Sequence, residues 1–203
     1  MRITEKRHAD PERALSRRRQ VLDAAATCFS RSGFHGASMA EISKAAGMSA
    51  GHIYNYFDGK DAIIAAFVQE EVERVALLLR DLEQKDDPLQ AIVDEIDTSV
   101  NEHMAPGFWT LKLEIFAEAS RNPKVAAVLV QADLCMRQQF RAIIKAGREQ
   151  HGLAADDATL DGRLEATIAL FHGLALRALH HPELDKVALT GAYRVALGAL
   201  LLS

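Results

Sequence analysis

The chain has 203 residues, 49% of them apolar and 26% charged, which is enough to bury a substantial core in one large domain or in a small one beside a larger one. No run of about 18 apolar residues is present to cross a membrane, and the N-terminus, rich in Arg, Lys, Asp and Glu, lacks a secretory apolar region, so the expected location is the cytoplasm. The net charge of −4 hides a division: residues 1–60 hold 10 Lys and Arg against 6 Asp and Glu (+4), and residues 61–203 hold 14 against 22 (−8), which suits binding of a polyanion in one orientation.

Residues 1–12 are polar, include Pro11 and are expected to form a mobile arm. From Ala14 to Arg31 apolar residues recur at helical spacing through Val21, Leu22, Ala25, Ala26 and Phe29, and the pattern ends near Gly33. The Arg17-Arg18-Arg19 run at its start suits phosphates or a narrow minor groove, and suits equally a solvated helix start. Cys28 here and Cys135 further on are lone cysteines in helical patterns, expected as small buried apolar residues in a reducing compartment. A redox role for either has little support.

The stretch Ser38–Lys60 predicts two short helices joined by a tight turn. Ser38 and Glu41 have capping-box spacing, Gly47 can take the left-handed conformation that ends a helix, and Ser49 caps the next one. Ile42, Ala45 and Ala46 share a face of the first helix, and Ile53 and Phe57, four apart, share a face of the second. The opposite side carries Ser49, His52, Asn55 and Tyr56.

In a helix-turn-helix the second helix enters the major groove while neighbouring groups bind phosphates. Ala50 and Gly51 allow close approach, His52 and Asn55 offer hydrogen bonds to bases, and Tyr54 and Tyr56 carry hydroxyls on rigid arms suited to phosphate oxygens. Lys60 follows the expected cap Asp58 at the start of a helix, where the dipole disfavours a cation unless a phosphate is bound. The rival reading is a compact helical hairpin with surface tyrosines.

From about Arg17 to Phe67, roughly a quarter of the chain, the sequence resembles the DNA-binding domain of the tetracycline-repressor (TetR) family. The signature is a helix, a capped helix-turn-helix, a Tyr-x-Tyr/His-Phe run and a downstream lysine, here Ile53-Tyr54-Asn55-Tyr56-Phe57 and Lys60. Beyond that segment the likeness is one of length and helical layout. The expected DNA-binding set is Arg17, Ser38, Ser49, Ala50, Gly51, His52, Tyr54, Asn55, Tyr56 and Lys60.

A long amphipathic helix follows from Asp61 to Gln84, which in the family connects the DNA reader to the regulatory core. Asp87-Pro88 opens a helix through Ile92, Val93, Ile96 and Val100, Pro106 one that runs to about Arg121, and Asn122-Pro123 one that runs to about Gln150. Gly152–Asp157 is the clearest loop, and helices from about Ala158 to His180 and Leu184 to Leu202 finish the chain. No segment alternates with a period of two, so the expected fold is all-α with about nine helices. The expected organisation is an N-terminal arm and three-helix DNA-binding domain over residues 1–60, then a larger effector-binding and dimerisation domain over residues 61–203.

The last two helices carry more apolar surface than one core easily absorbs, which predicts a homodimer through them. The alternative is burial of both within a monomer. Phe108, Trp109, Phe116, Met136, Phe140 and Phe171, with His103, Cys135, Gln139 and His172, form a candidate effector pocket or, equally, part of an ordinary core. Catalysis is not expected. His180-His181 and His172 lack zinc-site spacing, no phosphate loop or nucleophile elbow occurs, and acid pairs such as Asp86-Asp87 sit at helix ends, so neither metal nor cofactor is expected. The resemblance implies a ligand-responsive regulator, most simply a repressor that binds a palindromic double-stranded operator as a dimer and is released by a small, largely apolar effector. The alternative is a DNA-associated structural or partner-binding protein that needs no effector.

Overall fold

A computed structural model describes residues 11–105, 107 and 109–203. The expected arm lies almost wholly outside these residues. So do Pro106, expected to open a helix, and Phe108 of the expected pocket. Among the described residues there are ten helices and no strand. They are α1 (Pro11–Gly36), α2 (Met39–Ala45), α3 (Ala50–Ile53), α4 (Lys60–Glu83), α5 (Pro88–Asp94), α6 (Ile96–His103), α7 (Thr110–Ala119), α8 (Pro123–Gln150), α9 (Asp157–His180) and α10 (Lys186–Leu201).

Between residues 88 and 110 two element boundaries differ from the sequence reading. The helix that starts at Pro88 splits at Glu95 (φ −83°, ψ 8°), which ends α5 and precedes α6. The kink lets Leu89, Val93, Ile96, Val100 and Met104 all reach one core. Gly107 takes φ +83°, outside helical space, so α7 begins only at Thr110.

The chain forms two compact units. One takes in the described residues up to Phe67 together with Leu113–Ala126, and the other Val68–Lys112 with Ala127–Ser203. The division falls inside α4, seven residues beyond residue 60, and it groups Leu113–Ala126 with the N-terminal helices. In the first unit Val21, Leu22, Ala25, Cys28 and Phe29 of α1 are buried with Ile42, Ile53, Phe57, Ile63 and Ile64. In the second, Leu89, Ile96, Val100, Ile144, Leu160, Leu164, Leu174, Leu197 and Leu201 form the core.

The end of α10 is closed by two arginines. Buried Arg148 donates to the Leu201 carbonyl at 2.9 Å and Arg163 to that of Leu200 at 2.5 Å, satisfying acceptors that the helix itself leaves open.

Candidate nucleic-acid interface

The helix-turn-helix is locked at every terminus by local hydrogen bonds. The Ser38 hydroxyl accepts from the Glu41 amide at 3.2 Å, and the Glu41 carboxylate accepts from the Ser38 amide at 2.8 Å and from the Ser38 hydroxyl at 3.1 Å. The bond from the Ser38 amide draws the Glu41 carboxyl below its ordinary range. Ala46 closes α2, Gly47 takes φ +61°, and the amides of Gly47 and Met48 reach back to the carbonyls of Lys44 and Ser43 at 3.1 and 2.9 Å. This is a Schellman closure, and its left-handed residue favours glycine. The Ser49 hydroxyl then accepts from the His52 amide at 3.3 Å and starts α3.

The reading helix is shorter than the sequence suggests. It is a single turn, after which the Asn55 and Tyr56 amides bond to the carbonyls of His52 and Ile53, three residues back. The tighter turn keeps Ile53 and Phe57 both buried. On the open side His52, Asn55 and Tyr56 come together: Asn55 Nδ2 lies 3.4 Å from His52 Nδ1, and the Tyr56 hydroxyl lies 3.4 Å from His52 Nε2 with the two rings edge to face. Tyr54 is 51% exposed. Ser49, Ala50 and Gly51 are exposed too, and a Cβ on Gly51 would meet nothing within 4 Å.

The three consecutive arginines have three different settings. Arg17 donates to Gln20 Oε1 at 2.8 Å, and Gln20 in turn donates to the Ala46 carbonyl at 2.6 Å. Arg18 lies over the Phe57 ring at 4.4 Å and donates to the Tyr56 carbonyl at 3.5 Å. Arg19 pairs with Asp23 at 3.1 Å.

Lys60 opens α4, as the sequence reading expects. Its ammonium donates to the carbonyls of Phe34 and Ala37 at 2.5 and 2.8 Å and lies over the Phe34 ring. Gly33 (φ +71°) interrupts α1, and the ammonium supplies a donor to carbonyls around the end of that helix. The helix begins at Lys60 itself, so Gly59, not Asp58, occupies the cap position.

Sequence reasoning missed the carboxylates that hold this junction. Glu114 accepts from the Phe34 amide at 3.1 Å. Glu118, 2% exposed, pairs with His35 at 2.9 Å and Arg121 at 3.1 Å, and accepts from Asn122 at 2.9 Å. Burial alone would raise its carboxyl, but these partners hold it below the ordinary range. Glu114 stands 80 residues from Phe34 and Glu118 83 from His35, so no local pattern marks these contacts.

The expected effector residues are only partly brought together. His103, Trp109, Phe171 and His172 form one cluster in the second unit, with ring centroids 4.9 Å (His103–Phe171), 5.7 Å (His103–Trp109) and 5.4 Å (Trp109–His172) apart. Tyr193 joins through Phe171, and the Lys112 ammonium lies 4.9 Å from the Trp109 centroid. Lys112 and Arg74 both bond to Glu71. Burial there opposes ionisation of that carboxyl, and the two cations overcome it and hold the group at about 2. Burial pushes both His103 and His172 down, which favours neutral imidazoles.

The remaining expected pocket residues are divided between the two units. Phe116 belongs to the first unit, with 40% of its surface exposed. Phe140 packs against Leu79, Leu82 and Ile143 and, like Phe171, against the main core of the second unit, and Met136 is half-buried. Cys135 is exposed rather than buried, 3.6 Å from Gln139 Nε2 one turn along α8, while Cys28 is buried as expected. No group of three or more His, Cys, Asp or Glu that would hold a metal ion occurs among the described residues. Nor is any of their helices long and apolar enough to cross a membrane.

A capped helix-turn-helix with an open polar face, carried by an all-helical chain, defines a DNA-binding transcriptional regulator. Residues 21–67 match the family model for bacterial regulatory proteins of the tetR family, and residues 85–201 that of the BetI-type transcriptional repressor C-terminal region. The chain belongs to the tetR family of bacterial regulatory proteins. It is 39% identical over 116 residues to the HTH-type transcriptional regulator UidR of Escherichia coli K12, a match that covers 55% of this chain and 56% of UidR. The chain thus matches about half the length of this relative. Among solved structures, GusR of Salmonella enterica is 27% identical with a TM-score of 0.77, covering 98% of this chain and 100% of GusR. FadR of Bacillus subtilis, solved in complex with stearoyl-CoA, shares the fold at 18% identity and a TM-score of 0.68, covering 90% and 97%. The family and these relatives are transcriptional regulators, not enzymes.

Proposed function

We propose that the protein is a repressor that binds a palindromic operator as a two-fold dimer and is released by a small, largely apolar effector. The observation that carries this reading is the row of exposed His52 and Asn55 and half-buried Tyr56, with exposed Tyr54 beside it, on a turn locked from both sides. His52 and Asn55 meet base edges and Tyr54, Tyr56 and Arg17 meet phosphates. Ala50 and Gly51 let the backbone approach, and Ser38 and Ser49 fix the helix ends.

Residues 1–60 are the reading domain in this scheme and residues 61–203 the effector-binding and dimerisation domain. Exposed Leu176 and Leu179 on α9 and Val187 and Val195 on α10 supply an apolar face for a second copy. The cluster of His103, Trp109, Phe171 and His172 offers aromatic faces and neutral imidazoles to an effector. The stearoyl-CoA bound by FadR supports small-molecule control on this fold.

Selection of duplexes from a random library by the purified protein tests the reading. The expected product is a palindrome bound with an affinity that falls steeply as salt rises. Tyr54→Phe and Tyr56→Phe each weaken binding about threefold to tenfold on every sequence, the worth of one hydrogen bond. His52→Ala and Asn55→Ala instead relax the choice of base at one position in each half-site, by about 1–3 kcal/mol. An unchanged selected sequence in the double His52→Ala, Asn55→Ala variant would overturn the assignment.

A further inference from the structure

We propose that Gln20 is a positioning residue for DNA binding, whose side-chain amide ties the turn of the helix-turn-helix to Arg17 and holds that guanidinium ready for a backbone phosphate. The inference rests on the DNA-binding reading above and adds to it a residue that no sequence pattern marks.

Gln20 sits in the middle of α1, half-buried, with both ends of its amide engaged. Nε2 donates to the Ala46 carbonyl at 2.6 Å, and Oε1 accepts from Arg17 Nη1 at 2.8 Å. The orientation of the amide is fixed by chemistry: a carbonyl only accepts and a guanidinium only donates, so the reversed amide would lose both bonds. Ala46 is the residue that closes α2, and its carbonyl is one of those the helix end leaves without an intrahelical partner. The glutamine also packs against the turn itself, since a Cβ added to Gly47 would lie 4.0 Å from Nε2.

The consequence for Arg17 is entropic. A long guanidinium side chain loses up to about 2 kcal/mol of rotamer freedom when it is fixed on a phosphate. Here the bond to Gln20 orders it during folding, beside the turn that leads into Ser49 and the reading helix, and uses one of its five N–H donors. Arg18 is ordered differently, against Tyr56 and Phe57 at the far end of the reading helix. The charge of Arg19 is answered by Asp23. One continuous basic run therefore divides into a cation at the turn, a cation at the end of α3 and a neutralised pair.

The test uses the full chain and a duplex selected from a random library by the wild-type protein, with affinity measured by fluorescence anisotropy across a salt series. Arg17→Met and Gln20→Met are each expected to weaken binding about threefold to tenfold. Each also lowers the slope of log affinity against log salt by up to about one per subunit. The double variant binds no more weakly than Arg17→Met alone, because the two residues act as one unit. Arg19→Met keeps the wild-type slope.

A Gln20→Met variant that loses affinity with an unchanged salt slope would assign Gln20 to the turn alone and overturn the proposal. Additive losses in the double variant, or an equal loss of slope in Arg19→Met, would overturn it as well. Because Gln20→Met removes a bond to the turn, its thermal melting is followed in parallel. Should it unfold, Arg17→Met decides the matter, and an unchanged slope there ends the case. If the wild-type protein enriches no duplex at all, the DNA-binding reading itself fails, which is distinct from a failure confined to Gln20.

Discussion

Lys60 Nζ lies within 2.8 Å of the Phe34 and Ala37 carbonyls, and its charge is further engaged by the Phe34 ring. An ammonium committed in this way contributes to the fold of the first unit before it contributes to any ligand. Lys60→Met should therefore lower the urea midpoint by an amount equivalent to about 1–3 kcal/mol, the cost of stranding buried acceptors, while leaving the salt slope of DNA binding unchanged. A lost slope at unaltered stability would return Lys60 to the phosphate. Ser38, Glu41 and Ser49 were legible in the sequence because a cap and its partner lie within three residues. Lys60 and the pairing of Glu118 with His35 were not, because the partners lie 23 to 83 residues apart and only the folded chain brings them near.

At the scale of elements, apolar spacing marked which residues face a core but not how closely two helices approach. On α8, Gly147 faces Leu89 of α5 so closely that a Cβ built on it would lie 2.5 Å from Leu89 Cγ. In the sequence this glycine is only an interruption in a helical pattern. In the structure it is the point where α5 presses on α8, against a leucine that is fully buried. Gly147→Ala gains helix propensity of about 1 kcal/mol but forces Leu89 or the backbone to shift, so overpacking of about 1–3 kcal/mol should win. The net change is a lower denaturation midpoint, and the double variant Gly147→Ala, Leu89→Ala should recover part of the Gly147→Ala loss relative to Leu89→Ala alone. A Gly147→Ala protein as stable as the wild type would mean that the two helices part without cost. The same limit explains the split of α5 from α6 at Glu95 and the shortening of α3 to one turn. In both, a continuous pattern of apolar positions is satisfied by a backbone that is not continuous.

Across the whole molecule the asymmetry of charge was visible in composition, whereas the compact units were not, since their division depends on contacts made by Leu113–Ala126 far from its neighbours in sequence. The acid side of the stability profile follows from groups spread over both units. Burial holds His103 and His172 below the ordinary histidine value of 6.5, so on acidification the unfolded chain takes up these protons first. Their contribution is present above 6.5 and is lost as pH falls below it. Glu71, held at about 2 against an ordinary 4.5, and Glu118, Glu41, Asp87 and Asp156, all lowered, contribute stability that is present above their ordinary values and disappears as pH falls through the folded ones. Stability should accordingly decline in two stages, gently below about pH 6.5 and steeply below about 4.5. Urea denaturation of Glu71→Gln isolates one part of the second stage. Its deficit against the wild type should hold constant above pH 4.5 and shrink towards pH 2, because the wild-type carboxylate gives up its bonds to Arg74 and Lys112 only as it takes on a proton. A deficit that stays the same across that interval would mean that the charge on Glu71 contributes nothing and that the packing of its side chain accounts for the whole effect.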